Sequence, residues 1–374
     1  MKNILVVLGT RPEAIKLAPV ILELRKNPNY TVLVCNTEQQ KELSNQTLGF
    51  FGIKANFNLD VMRPNQTLAG VQARILDALS NVYQSNKIDA TIVQGDTMTV
   101  FCGALVSFYN RVPVFHVEAG LRSYDLFEPF PEEAMRQMTA RITDLHFAPT
   151  QLAYDSLIKE DIKPEKITLT GNTVIDALSC LSNETLTTAR KALETRGIKL
   201  NDKLVLVTAH RRENHGERLD RILEAITTLT KKYSDHQFVL PVHPNPNVHD
   251  KVYNALEKLP NVILTQPLDY PELVCLMKNT KLVLTDSGGI QEEAPTFGNP
   301  VLVMRYETER TEGVDAGFAK LVGADIDKIL TESNAILSRD KNDTRLDGTK
   351  NPYGDGHAAQ KITIAINEFW NHGK

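Results

Sequence analysis

Short apolar runs recur along the chain at residues 4–8, 31–35, 91–93, 112–117, 145–148 and 167–170, and then at 204–208, 238–242, 262–264, 282–285 and 301–304. Each is rich in valine, isoleucine and leucine and is bounded by glycine, proline or polar residues, the pattern of a strand buried on both faces. Between them lie segments of helical period, such as 14–26, 68–83, 100–109, 219–232 and 248–259. Alternation of this kind predicts an α/β protein with parallel sheets covered by helices on both sides. The pattern fades over 179–202, which reads as a linker or a long connecting helix. A second break, Asn351-Pro352-Tyr353-Gly354-Asp355-Gly356, precedes a last helix ending near Trp370, which can cross back onto the first half.

A chain of 374 residues exceeds the size at which one core keeps growing, so two domains are expected. The expected division places 1–170 with the C-terminal helix 357–374 in one Rossmann-like domain and 171–356 in the other. Net charge is −4 with no long basic run, which argues against nucleic acid or an anionic membrane as partner. The four cysteines are scattered and form no C-x-x-C pair, so buried, reduced thiols are expected rather than disulfides or zinc. The first apolar run is too short for a secretory segment and none reaches membrane-spanning length, so a cytoplasmic location is expected.

In open parallel sheets, ligands bind beyond the carboxyl ends of the strands. The polar, charged and glycine residues of this chain gather there. Thr285-Asp286-Ser287-Gly288-Gly289 follows a strand and opens a helix, where bare backbone N–H groups can meet an anion. Glu293, four residues past Gly289, is placed to accept from ribose hydroxyls. In the first loop Thr10 and Glu13 fit a capping box, whereas Arg11 and Lys16 are cations at a helix start, which an anionic ligand would offset. Asp96, Glu118 and Glu132 come from three separate loops and suit proton transfer. Each has a plainer reading: Asp96 as a helix cap, Glu118 as the partner of Arg122, Glu132 as a first-turn acid. His210 heads a basic cluster with Arg211 and Arg212. His243 and His249 lack zinc-ligand spacing, and Asp325-Ile326-Asp327 reads as a cap. No G-x-G-x-x-G or P-loop signature occurs, so neither a nicotinamide cofactor nor a kinase site is expected.

The runs GTRPEAIK (9–16), GDT (95–97), HVEAGLR (116–122), FPEEA (130–134), GNTVIDA (171–177), TAHRRE (208–213), TDSGGIQEEAP (285–295) and NPYGDG (351–356) together resemble the non-hydrolysing UDP-N-acetylglucosamine 2-epimerases. The resemblance runs in order from residue 4 to about 370. It implies a glycosyltransferase-B type fold of two Rossmann-like domains facing a cleft, and a homodimer. It also implies interconversion of UDP-N-acetylglucosamine and UDP-N-acetylmannosamine for surface polysaccharide, without cofactor or metal. Arg11, Lys16, Asp96, Glu118, Glu132 and His210 match the family's sugar and diphosphate site. Ser287, Gly288, Gly289, Glu293 and Arg310 match its UDP site. Gln39, Arg211 and His243 fit the pattern of relatives that bind a second UDP-N-acetylglucosamine as activator. Gln94, Phe115 and Met135 depart from the usual residues, and Asn65 stands where those relatives carry arginine.

Overall fold

The computed structural model describes residues 1–372. Met1–Cys180 and Tyr353–Lys374 form one compact unit, and Leu181–Pro352 forms another. In the first, seven strands, β1 (Lys2–Leu8), β2 (Tyr30–Asn36), β3 (Phe57–Asn58), β4 (Ala90–Gln94), β5 (Val114–Val117), β6 (Leu145–Ala148) and β7 (Ile167–Leu169), assemble in the order β3-β2-β1-β4-β5-β6-β7. In the second, β8 (Leu204–Thr208), β9 (Gln237–Pro241), β10 (Val262–Thr265), β11 (Leu282–Thr285), β12 (Val301–Val303) and β13 (Ala319–Leu321) assemble as β10-β9-β8-β11-β12-β13. Every strand pairing is parallel. Both orders reverse once, between β1 and β4 and between β8 and β11, the doubly wound arrangement expected from the alternating runs.

The central strands explain themselves. Ile4 to Leu8 of β1 and Leu204 to Val207 of β8 are all fully buried, because helices cover both faces of each sheet. In the second unit Leu219, Ile222, Ile226 and Leu229 of the helix Glu217–Lys232 pack on Val205, Val207, Phe238 and Leu240. In the first, Ile75 and Leu79 of the helix Leu68–Ser85 meet Leu5, Val7 and Val93.

The structure adjusts one strand, adds two, and decides between the two readings of the faded stretch. β5 begins at Val114 rather than at 112, since Pro113 has no N–H to give to a ladder; its carbonyl still accepts from the Thr91 N–H at 2.9 Å. β3 and β13 are edge strands too short to carry a visible apolar run. The faded stretch near 179–202 contains the helix Asn183–Thr195, capped by Ser182, whose hydroxyl accepts from Thr185 N–H at 3.1 Å.

The first unit extends past the expected boundary at 170. The helix Thr173–Cys180 packs on the helix Arg11–Leu24, and both pack on the C-terminal helix Ala358–His372. Asn172 N–H donates to the Tyr353 carbonyl at 2.7 Å, and a Cβ on Gly171 (φ +86) would stand 3.2 Å from Gly354 Cα. Buried Asp176 accepts from Ala358 and Ala359 N–H at 3.2 and 2.8 Å, capping that last helix. Phe369 meets Phe115 edge-on, with ring centroids 5.2 Å apart. Among the described residues, no helix is long and apolar enough to cross a membrane.

Candidate active site

The candidate residues of each unit lie at the carboxyl end of its sheet, flanking the point where strand order reverses. In the first unit this brings together the loops after β1, β4 and β5. Thr10 and Glu13 form the expected capping box of the helix Arg11–Leu24. Glu13 does more than cap. Its Oε2 accepts from Gly9 and Thr10 N–H at 2.6 and 3.1 Å, and its Oε1 accepts from Thr97 Oγ1 at 2.5 Å. Complete burial outweighs these bonds and pushes its carboxyl up to about 7.

Lys16 and Glu118 form an ion pair at 2.5 Å, and Gln94 Nε2 donates to the same carboxylate oxygen at 3.0 Å. Lys16 is thus placed by a helix against an acid presented by β5. Glu118 holds φ +61, a left-handed conformation that a non-glycine residue adopts only under local constraint. The guanidinium of Arg122 forms a bidentate pair with Glu160, at 2.6 and 3.0 Å, and is almost fully buried.

Asp96 does not cap the helix Met98–Tyr109; Thr97 occupies the cap position without a side-chain bond. Asp96 instead binds Arg136, which also lies 3.3 Å from Glu133. Asp96, Glu118 and Arg136 line one narrow pocket with Gly95, Gly120 and Arg122. Glu132 opens the helix Glu132–Arg141, one turn before Arg136, but does not line that pocket. Its neighbour Glu133 is the structural acid: it is buried and accepts from Ser123 and Tyr124 N–H at 3.0 and 3.2 Å. His116 Nε2 donates to the Gly95 carbonyl at 2.7 Å, and burial pulls its imidazole down to about 4, so it holds the Gly95-Asp96 turn as a neutral ring. Arg11 begins its helix, with its N–H donating to Gln40 Oε1 at 3.0 Å. Gln39 accepts from Thr99 Oγ1 at 3.0 Å.

In the second unit the loops after β8 and β11 meet at Asp286, which is completely buried. It accepts from His210 N–H at 2.9 Å, Arg211 N–H at 2.9 Å and Asn214 Nδ2 at 3.0 Å. His210 also stacks on His243, centroids 5.9 Å apart. Ser287 makes no side-chain cap bond; its N–H donates to Thr285 Oγ1 at 2.9 Å. The helix Gly288–Glu293 is only six residues long. A Cβ on Gly288 would stand 3.3 Å from the Arg310 guanidinium carbon and 3.5 Å from an Arg211 nitrogen, so this glycine lets two cations approach the backbone. Arg310 Nε pairs with Glu292 at 2.9 Å. Buried Glu293 reaches back toward Gly289, its Oε1 3.8 Å from where that residue's Cβ would be. Asp325 caps the helix Ile326–Leu337, accepting from Lys328 N–H at 3.0 Å.

Sequence reasoning passed over Arg136 and Asp286. Arg136 had a signal, since it lies one helical turn past Glu132. Asp286 stood inside the glycine motif but was overshadowed by it. Among the described residues, no group of three or more histidine, cysteine, aspartate or glutamate side chains is placed to hold a metal ion.

A family profile for UDP-N-acetylglucosamine 2-epimerase matches residues 22–367. A UDP-N-acetylglucosamine 2-epimerase from Neisseria meningitidis serogroup A is 45% identical over 367 residues, spanning 97% of this chain and 99% of that one. The crystal structure of the UDP-GlcNAc 2-epimerase from Neisseria meningitidis bound to UDP-GlcNAc matches with a TM-score of 0.88 at 44% identity, covering 98% of this chain and 100% of that one. That of the Methanocaldococcus jannaschii enzyme in complex with UDP-GlcNAc and UDP matches with a TM-score of 0.79 at 32% identity, over 98% and 100% of the two chains. These matches run through both units, and on them the chain belongs to the UDP-N-acetylglucosamine 2-epimerase family.

Proposed function

We propose that this protein interconverts UDP-N-acetylglucosamine and UDP-N-acetylmannosamine without hydrolysis, by eliminating and re-adding UDP. The observation that carries the reading is the cluster in the first unit where Asp96 and Glu118 stand together, each held by its own cation. A protein that only bound UDP-sugar would need the second unit's cations but not this pair of acids.

The hydrogen on C2 of the sugar is not next to a carbonyl, so its direct removal gives no stabilised carbanion. Cleavage of the C1–O bond changes that. The bonding pair leaves with the β-phosphate oxygen of UDP, positive charge develops at C1, and the C2 hydrogen becomes acidic. One carboxylate balances the charge at C1 and another takes the C2 proton, giving 2-acetamidoglucal, UDP and a protonated acid. UDP then adds back to C1 while a proton returns to the opposite face of C2. Atoms balance, and no water or redox cofactor is consumed.

Asp96, Glu118 and Glu132 supply the proton-transfer and charge-balancing groups in this scheme. Lys16 positions Glu118, and Arg11 contacts the diphosphate. Ser287, Gly288, Gly289 and Arg310 hold the departing UDP, His210 donates to it, and Glu293 holds the ribose. Gln39, Arg211 and His243 are assigned to a second UDP-N-acetylglucosamine acting as activator. The working form is a homodimer in the cytoplasm, and the product supplies surface polysaccharide synthesis, as the family resemblance implies.

The test is incubation with UDP-N-acetylglucosamine in heavy water, with no added cofactor. The expected product is UDP-N-acetylmannosamine carrying deuterium at C2. Free N-acetylmannosamine as the main product would instead show a hydrolysing epimerase, and unlabelled, unchanged substrate a sensor. Asp96→Asn should abolish label uptake and leave UDP binding largely intact; unimpaired exchange would remove Asp96 from the scheme.

A further inference from the structure

The buried carboxylate of Asp286 has no role in the scheme above, yet it accepts from three separate donors in the second unit's loops. Both its oxygens face the main-chain N–H of His210, at 3.1 and 2.9 Å, and one also takes Arg211 N–H and Asn214 Nδ2. Asn214, itself buried, donates in addition to the Met304 carbonyl at 3.0 Å and so fixes the carboxylate from behind. Among the described residues, the one basic side chain within ion-pair distance of Asp286 is His210, whose Nδ1 stands 3.3 Å from Oδ1. Every other partner is a neutral dipole. A carboxylate buried without a full counter-charge favours whichever neighbour can acquire one.

We propose that Asp286 is a positioning residue for His210: it holds the imidazole as its Nδ1–H tautomer, presents Nε2 outward, and supports positive charge on the ring. At 3.3 Å the two groups stand at ion-pair distance, close enough for the carboxylate to orient the ring and to stabilise charge that develops on it. The groups facing His210 divide cleanly. Burial, Arg211 and the stacked ring of His243 all disfavour its protonated form, and Asp286 alone opposes them. Removing the negative charge of Asp286 therefore leaves the imidazole with nothing to sustain a proton. The orientation of His210 does not depend on the proposed reaction; only the identity of the group that Nε2 meets, and donates to once the ring is protonated, rests on that reading.

The test uses the full chain with ¹⁵N-labelled histidine, with the His210 ring signals assigned by their loss in His210→Gln. The wild type should show the Nδ1–H tautomer at alkaline pH. In Asp286→Asn the tautomer preference should invert, and proton affinity of the ring should fall about tenfold or more, one unit on the pH axis. Deuterium incorporation by Asp286→Asn should fall about a hundredfold in kcat with little change in KM, the size of loss typical of a misoriented acid–base group. A wild-type His210 carrying its proton on Nε2 overturns the proposal without requiring any variant. So does an unchanged titration in an Asp286→Asn protein whose circular dichroism and unfolding midpoint match the wild type. An inverted tautomer with unimpaired labelling supports the positioning claim and refutes instead the role given to His210 in releasing UDP.

Discussion

Glu13→Gln should make the protein more stable at neutral and alkaline pH, although it removes a hydrogen-bonded side chain from the centre of the first unit. Glu13 is completely buried, and that burial raises its carboxyl from 4.5 to about 7 against three lowering hydrogen bonds. The native state therefore holds this proton more tightly than the unfolded chain does. Between pH 4.5 and about 7 the folded protein keeps a proton that the unfolded protein has released, so stability falls as pH rises across that window. Below 4.5 the group costs nothing through this route, and above about 7 the cost is complete. A displacement of this size corresponds to roughly 3 kcal/mol. Glutamine has nearly the shape of the protonated acid. Its carbonyl can accept from Gly9 and Thr10 N–H, and its amide can donate to Thr97 Oγ1. The two proteins should then be matched within about 1 kcal/mol at pH 4.5, and the variant should lead by about 3 kcal/mol at pH 8. Urea unfolding followed by tryptophan fluorescence isolates the relevant unit, because the chain has one tryptophan and Trp370 lies in the first unit's C-terminal helix. Parallel stability–pH curves for the two proteins, or a lead that shrinks as pH rises, would refute the reasoning.

Three further substitutions probe the same architecture. Gly120→Ala places a Cβ 2.2 Å from the Ala153 carbonyl oxygen at φ +94, a clash with backbone that cannot yield, and should lower stability by about 3 kcal/mol or more in the same unfolding assay. Arg122→Met leaves Glu160 without its buried bidentate partner and should cost about 3–5 kcal/mol; adding Glu160→Gln should recover much of the loss. Gly288→Ala keeps an ordinary φ but brings a methyl to 3.3 Å from the Arg310 guanidinium, so UDP binding measured by calorimetry should weaken about tenfold while the unfolding midpoint stays within about 1 kcal/mol of wild type.

The sequence alone determined the strands at the centre of each sheet, the alternation with helices and the end of each sheet where chemistry gathers. Those are local properties: a run such as 4–8 reads as a strand whatever it later packs against, and the loop after it must emerge at the carboxyl end. Caps were legible for the same reason, as Thr10 with Glu13 and Asp325 show, since both partners lie within one turn. Charge pairing was not legible. Glu118 finds Lys16, 102 residues away, and the nearby Arg122 finds Glu160, 38 residues on. Asp96 is drawn to Arg136 rather than to the helix beside it. Asp286 joins His210 across 76 residues, because β8 and β11 are neighbours in the sheet though far apart in the chain. Which opposite charges meet depends on strand order and on which faces the helices cover. The tertiary structure alone decided that, because an ion pair or buried carboxylate is selected by the space around it and not by its distance along the chain.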